Sequence, residues 1–279
     1  VGNDIVAAVE AAALTKRYGT GEAVSDVSVS LAPGSCTAIV GPNGSGKTTL
    51  LHMLSGLLRP TSGVRSVHGV PVDSDSAKPL IGFAPDDLPL PLSLTGDEMV
   101  GLTLRLRRCE PVIDVDRVLH ILGILQDMDR PIGQYSHGMK RKLQLVCAVM
   151  HGPRVLFLDE PYRGLDPMSE MLLRRLIRTI VEGGATVVSS THSLEVTGSD
   201  YDHLLVMDDG RLVAAGRVSD LLVEHGAANV TELFLRVTGR DSSARLAEDD
   251  LAEEFRRIYA TTSRGSDDIH ATKTKMESV

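Results

Sequence analysis

Residues 41–49 read GPNGSGKTT, set between the apolar runs CTAIV (36–40) and LLHMLSGLL (50–58). The run fits G-x-x-x-x-G-K-[ST], with Gly41, Gly46, Lys47 and Thr48 at the defining positions. Its glycines let the backbone turn inward, so that successive N–H groups converge on one anion. The helix expected next adds its positive N-terminal end. Lys47 is expected to reach the outer phosphates, and Thr48 to offer a hydroxyl to Mg²⁺. The whole run of Gly41, Pro42, Asn43, Gly44, Ser45, Gly46, Lys47, Thr48 and Thr49 therefore reads as a cradle for a nucleoside triphosphate. The competing reading is a chance glycine-rich turn. An apolar strand before it and a helix after it speak against that.

A second motif supports the first. Residues 154–160, RVLFLDE, carry an apolar run into two carboxylates at the C-terminal end of a strand, where open α/β sheets place their ligands. Asp159 is expected beside Thr48, holding Mg²⁺. Glu160 is expected to polarise the attacking water as a base. Alone, such a pair is usually the start of a loop; downstream of a phosphate loop the reading inverts. The two motifs together imply an ATPase.

Composition narrows the class. The formal net charge of −8 argues against a protein that coats nucleic acid. Hydrophobic residues at 42% suffice for a sizeable core, but aromatics at 3% leave it to Leu, Val, Ile and Ala. Cys36, Cys109 and Cys147 form no CxxC pair, so neither a disulfide framework nor a zinc site is expected, and a reducing cytosol fits. No run approaches the roughly 18–20 apolar residues that span a bilayer. VGNDIVAAVE (1–10) has no basic start followed by an apolar stretch, so no signal peptide is expected.

Along the chain, AVSDVSVSLAP (23–33) alternates as a half-buried strand does, and residues 5–40 read as strands. Residues 47–58 read as a helix stopped by Arg59-Pro60. Residues 64–91 read as strands and loops. From Thr95 to about Met150 the apolar spacing turns helical, with Thr95 and Glu98 placed as a capping box. Strands return at RVLFLD and ATVVSS, separated by a charged helix that ends at Gly183-Gly184. HLLVMDDGRLVAAG (203–216) reads as a hairpin turning at Asp-Gly. Past Gly239, residues 244–259 suit a helix, and the last twenty or so are polar, as a flexible tail is. The alternation predicts an α/β fold with a mostly parallel sheet, interrupted by a helical subdomain.

Three further stretches complete a pattern: YSHGMKRK (135–142), YRGLDP (162–167) and His192 within SSTHS (189–193). In this order, with the two motifs above, the chain resembles the ATP-binding cassette family, the nucleotide-binding subunits of ABC transporters, over roughly residues 5–238. The resemblance implies a P-loop NTPase (RecA-like) core with an antiparallel β subdomain and an α-helical signature subdomain inserted at about 95–150. Residues 239–279 form a C-terminal extension outside it. YSHGM matches the signature loop most often written LSGGQ, which implies γ-phosphate contacts for Ser136 and Gly138, with His137 and Met139 departing from the usual residues. GLDP matches the D-loop and implies that Asp166 lies at a dimer seam. His192 matches the histidine that bonds the γ-phosphate and orients the water. Tyr18, in TKRYGTGEAV, matches the aromatic residue stacked on adenine. IGFAPDD (81–87) matches the Q-loop but has Asp86 where the family usually has glutamine; a Mg²⁺-side contact for Asp86 is one reading, an ordinary turn the other.

The resemblance also implies partners and place. Two cassettes, homo- or heteromeric, clasp two ATP molecules head to tail and drive a separate transmembrane permease at the cytoplasmic face of the membrane. YSHGMKRKL, the acidic Q-loop and ELFLRVTG (232–239) resemble drug- or antibiotic-export cassettes. The alternatives are a soluble cassette ATPase working on nucleic acid or ribosomes, and a degenerate regulatory module. The first lacks the tandem cassettes or coiled-coil insertion usual there. The second would require the loss of Lys47, Asp159, Glu160 or His192, and all are present. No nucleic-acid partner is expected.

Overall fold

A computed structural model describes residues 6–86, 90–240, 251–253 and 255–256. Two sheets organise the chain. The first is antiparallel, in the order β2-β1-β4-β5, from β1 (Val9–Tyr18), β2 (Gly21–Leu31), β4 (Ser62–Val67) and β5 (Val70–Pro71). The second has the order β10-β9-β3-β8-β7-β6. Its strands β3 (Cys36–Val40), β6 (Ile81–Ala84), β7 (Val155–Asp159), β8 (Thr186–Ser190) and β9 (His203–Asp208) run parallel, and β10 (Arg211–Arg217) closes one edge antiparallel. The mostly parallel sheet expected from the alternating pattern is the sheet observed.

The parallel strands are short and apolar throughout because both faces are covered. All five residues of β3 are buried, and all five of β7. Their side chains alternate between two cores, as a period of two requires. Ile39, Val155, Phe157, Leu205 and Met207 join the core shared with the antiparallel sheet and with α1 (Lys47–Leu54). Ala38, Val40, Leu156, Leu158, Leu204 and Val206 face the opposite core, beneath α5 (Pro167–Glu182), α7 (Val218–Glu224) and α8 (Val230–Val237).

A third core belongs to the expected helical block: α2 (Gly96–Arg107), α3 (Val115–Ile121) and α4 (His137–Val149). The capping box opens α2: Thr95 Oγ1 accepts from the Glu98 N–H at 3.2 Å and Glu98 Oε2 from the Thr95 N–H at 2.9 Å. Helix α4 is shared, with Leu143, Val146 and Met150 turned to the third core and Leu145, Ala148 and Val149 to the sheet. Helix α6 (Leu194–Asp200) precedes β9.

Two local expectations change. Helix α1 ends at Leu54 instead of 58, because Gly56 adopts φ 87 and terminates it as a left-handed C-terminal glycine does. Residues 75–80 form a 3₁₀ helix within a stretch expected to be only strands and loops. The 203–216 hairpin turns at Asp209 and Gly210, both with positive φ (44 and 74), the geometry of a two-residue type I′ loop. Of the segment expected as helix 244–259, residues 251–253 and 255–256 are helical. Residue 5 and the expected tail lie outside the described residues.

Candidate functional site

The glycine loop joins β3 to α1 at the carboxyl end of the central strand. Gly44 and Gly46 take φ 82 and 96 there. A cavity of about 770 Å³ opens over it, lined by Gly41, Pro42, Asn43, Gly44, Gly46, Lys47, Thr48 and Thr49. Asp86, Glu160, Arg163 and His192 close it from the neighbouring strand ends. Strand order explains the meeting: β3 lies beside β8, and β8 beside β7, so residues far apart in sequence end on one rim. Ser45 is buried beneath the loop.

Lys47 is buried, and its ammonium donates to the Gly41 and Pro42 carbonyls at 2.8 and 3.0 Å. Burial holds its pKa below the ordinary lysine value, against the opposing pull of Glu160 and Asp159. Asp159 is buried behind Thr48. Burial alone would push its carboxyl up, but the nearby His52 ring and hydrogen bonds from Ser190 and Thr48 outweigh this and bring it below the usual carboxylate value. Oδ1 accepts from Ser190 Oγ and lies 3.4 Å from Thr48 Oγ1, and Oδ2 is 3.6 Å from His52 Nε2.

Glu160 follows at φ 47, a left-handed conformation that side-chain-bearing residues rarely adopt. Its N–H donates to Ser190 Oγ at 3.1 Å and lies 3.2 Å from the Ser190 carbonyl oxygen. Its Oε2 is 2.8 Å from His192 Nδ1. The expected base and the expected histidine are thus directly bonded.

The residues fit a triphosphate with a divalent ion. Mg²⁺ sites of this kind use one or two carboxylates together with substrate phosphates. Among the described residues there is no cluster of three or more His, Cys, Asp or Glu able to cage a metal alone. One anionic Asp159 beside the Thr48 hydroxyl is that smaller donor set, and the lysine and loop N–H groups supply the complement for phosphate.

Asp86 is engaged by two arginines. Its Oδ1 accepts from Arg141 Nη2 at 2.9 Å and its Oδ2 from Arg163 Nη1 at 2.5 Å. A dication approaching this carboxylate would face two guanidinium charges. Tyr18, Ser136, Gly138 and Asp166 are not among the cavity's lining residues. Tyr18 is exposed at the end of β1, with Lys16 Nζ 5.3 Å from its ring centre. Ser136 caps α4, its Oγ accepting from the Met139 N–H at 3.2 Å. Asp166 caps α5, accepting from the Ser169 N–H at 3.0 Å and the Ser169 hydroxyl at 2.5 Å.

Sequence reasoning missed Ala23, Arg163, Leu194, Phe234 and Arg240 in the cavity wall. Arg240 reaches it from beyond α8, held by Asp208 at 2.9 Å. Phe234 and Arg240 come from α8 and the residues just beyond it, far along the chain from the phosphate loop, whereas Arg163 lies within the quoted YRGLDP stretch, Leu194 follows SSTHS and Ala23 stands on β2.

Comparison with known proteins agrees with this geometry. The profile of the ABC transporter family matches residues 24–163. Nod factor export ATP-binding protein I of Rhizobium meliloti is 34% identical over 232 residues, covering 81% of this chain and 69% of that protein. Daunorubicin resistance ATP-binding protein DrrA3 of Streptomyces coeruleorubidus is 34% identical over 236 residues, covering 82% and 74%. A solved structure of an ATP-binding subunit of an ABC transporter superposes with a TM-score of 0.76 at 25% identity, over 82% of this chain and 99% of that one.

Proposed function

This chain belongs to the ABC transporter family as an ATP-hydrolysing subunit, and we propose that it energises export through a separate transmembrane permease. The observation that carries the reading is the cavity joining the phosphate loop, Lys47 and Thr48 to Glu160 and His192. Lys47 and the loop N–H groups hold the β- and γ-phosphates. Glu160 accepts a proton from the attacking water as the bond from the γ-phosphorus to the bridging oxygen breaks, leaving ADP and phosphate. His192, bonded to the Glu160 carboxylate, orients that group and bonds the γ-phosphate. Thr48 and Asp159 would hold Mg²⁺, which when bound neutralises phosphate charge. Tyr18 stacks on adenine.

Ser136 and Gly138 lie outside the cavity of their own chain, so in this reading they serve a second cassette's nucleotide, with Asp166 at the seam between the two. The cassette spans 5–238, with the helical subdomain at about 95–150 and the extension at 239–279. No described helix is long and apolar enough to cross a membrane, and in this reading the permease supplies the spans while the cassette works at the cytoplasmic face. Export rests on relatives named for Nod factor export and daunorubicin resistance.

The test is Glu160→Gln. It should bind ATP as the wild type does and hydrolyse it about 100-fold or more slowly. Hydrolysis at the normal rate would overturn the base assignment. Reconstitution with a candidate permease, in vesicles whose ATP-loaded lumen faces the cassette, tests direction as ATP-driven efflux.

A further inference from the structure

The acidic residue at Asp86 has a more specific place than either the metal or the turn reading gives it. Arg141, on the first turns of α4, is 4% exposed. Its Nη1 donates to the Pro85 carbonyl and, at 3.2 Å, to the Asp86 carbonyl. Its Nη2 donates to Asp86 Oδ1 at 2.9 Å and to the carbonyl oxygen of Glu160. One buried guanidinium therefore ties together α4, the end of β6 and the backbone of the base. Arg163 holds the other oxygen of Asp86, and its own N–H donates to the Glu160 carbonyl at 3.1 Å.

We propose that Asp86, Arg141 and Arg163 form a clamp that positions Glu160, with Asp86 acting as the acceptor of two guanidiniums and not as a ligand of the metal. The clamp answers a requirement visible in the backbone. A non-glycine residue at φ 47 persists only when its surroundings over-determine it. Glu160 is held at its N–H by Ser190 and at its carbonyl by Arg141 and the Arg163 N–H. Asp86 in turn fixes the guanidinium that does this. An aspartate suits this role because both its oxygens accept, one from each guanidinium, and its charge opposes theirs, whereas an amide offers one accepting oxygen and no charge. Because Arg141 rides on α4, whose N-terminus carries Ser136, the clamp also links the signature loop to the base of its own chain. All three are positioning residues, and the inference rests on the reading of Glu160 as the base.

The test is a set of variants in the full chain: Asp86→Asn, Arg141→Lys, Arg163→Gln and the double variant Asp86→Asn with Arg141→Lys. Asp86→Asn should lower kcat about 100-fold, the scale of a misplacement near 1 Å. KM for ATP and the Mg²⁺ concentration giving half-maximal rate should stay within about twofold, since the phosphate loop, Thr48 and Asp159 are untouched. The double variant should be no slower than the slower single variant, because the residues act as one unit. Melting temperatures across the same cycle should be equally non-additive, a readout independent of hydrolysis. Arg163→Gln, at a side chain 56% exposed, keeps the proposal testable should the Arg141 variants fail to fold, with an expected kcat loss of about tenfold and no change in Mg²⁺ response.

A rise of about tenfold or more in half-saturating Mg²⁺ for Asp86→Asn, the mark of a lost metal contact, would overturn the clamp. So would additive effects in both cycles, or an unchanged kcat. Glu160→Gln assayed in parallel separates the two readings: normal hydrolysis there defeats the base assignment, and the melting cycle still reports whether Asp86 and Arg141 are coupled.

Discussion

At Gly46 the backbone takes φ 96, and a methyl carbon added there would lie 2.3 Å from the Ala23 carbonyl oxygen. Both facts penalise any side chain, one through left-handed strain and one through a backbone collision that no rotamer change relieves. Gly46→Ala should therefore weaken ATP binding by at least about 2 kcal/mol, roughly thirtyfold in Kd. A fluorescent-nucleotide titration checks this, with circular dichroism confirming that the fold is kept. Lys47→Ala acts differently: it adds no backbone strain, but it removes the cation under the outer phosphates together with its bonds to the Gly41 and Pro42 carbonyls. Hydrolysis should fall about 100- to 1000-fold, measured as phosphate release. Position set by local chain geometry is legible in the sequence: Gly41, Gly46, Lys47 and Thr48 line the cavity in the order the pattern gives. The contacts of Asp86 are not legible in this way, because its partners Arg141 and Arg163 lie 55 and 77 positions away in the chain.

The elements follow the same rule. The capping box at Thr95 and the type I′ turn at Asp209-Gly210 are short-range devices, and both stand in the structure as their residues announced. The early end of α1 was missed because the left-handed Gly56 outweighed an apolar run that continued to Leu58. Thr95→Ala should cost about 1 kcal/mol of stability, seen as a lower urea midpoint. Where α4 ends, packing creates a pH dependence. His151 Nε2 lies 2.9 Å from Arg107 Nη1 and 3.1 Å from the Ile81 carbonyl. Burial, then the Arg107 charge, lower its pKa from 6.5 to about 4. Between these values the unfolded chain binds the extra proton and the folded chain does not. This contribution is complete above pH 6.5 and fades as pH falls toward 4. The loss by pH 5 should be up to about 2 kcal/mol. Urea unfolding at pH 7 and pH 5 should show it in the wild type, and a shallower change in His151→Asn.

For the whole molecule the decisive fact is that two of the expected phosphate contacts lie away from the cavity. Ser136 and Gly138 sit at the start of α4, packed beside the 162–167 loop. Gly164 there lies so close to His137 that an added Cβ would meet its ring at 2.7 Å. The cavity and the signature loop lie apart in one chain, so a nucleotide caged by both needs a second cassette related by a two-fold axis, a closed isologous pairing. Pairing with a second copy of this chain is the case the following experiment tests. In such a dimer each nucleotide meets the phosphate loop of one copy and the signature loop of the other. Lys47→Ala and Ser136→Arg should each be inactive when pure. Mixed, a dimer holding one of each contains one site with both defects and one with neither. Random pairing makes half the dimers mixed, so activity should return to about a quarter of the wild-type rate if the sites act independently. Phosphate release from the two proteins, assayed separately and after mixing with ATP, reads this directly. Mixed protein that stays as inactive as its components, while each variant still pairs with wild type, would mean that a nucleotide is served by one chain alone.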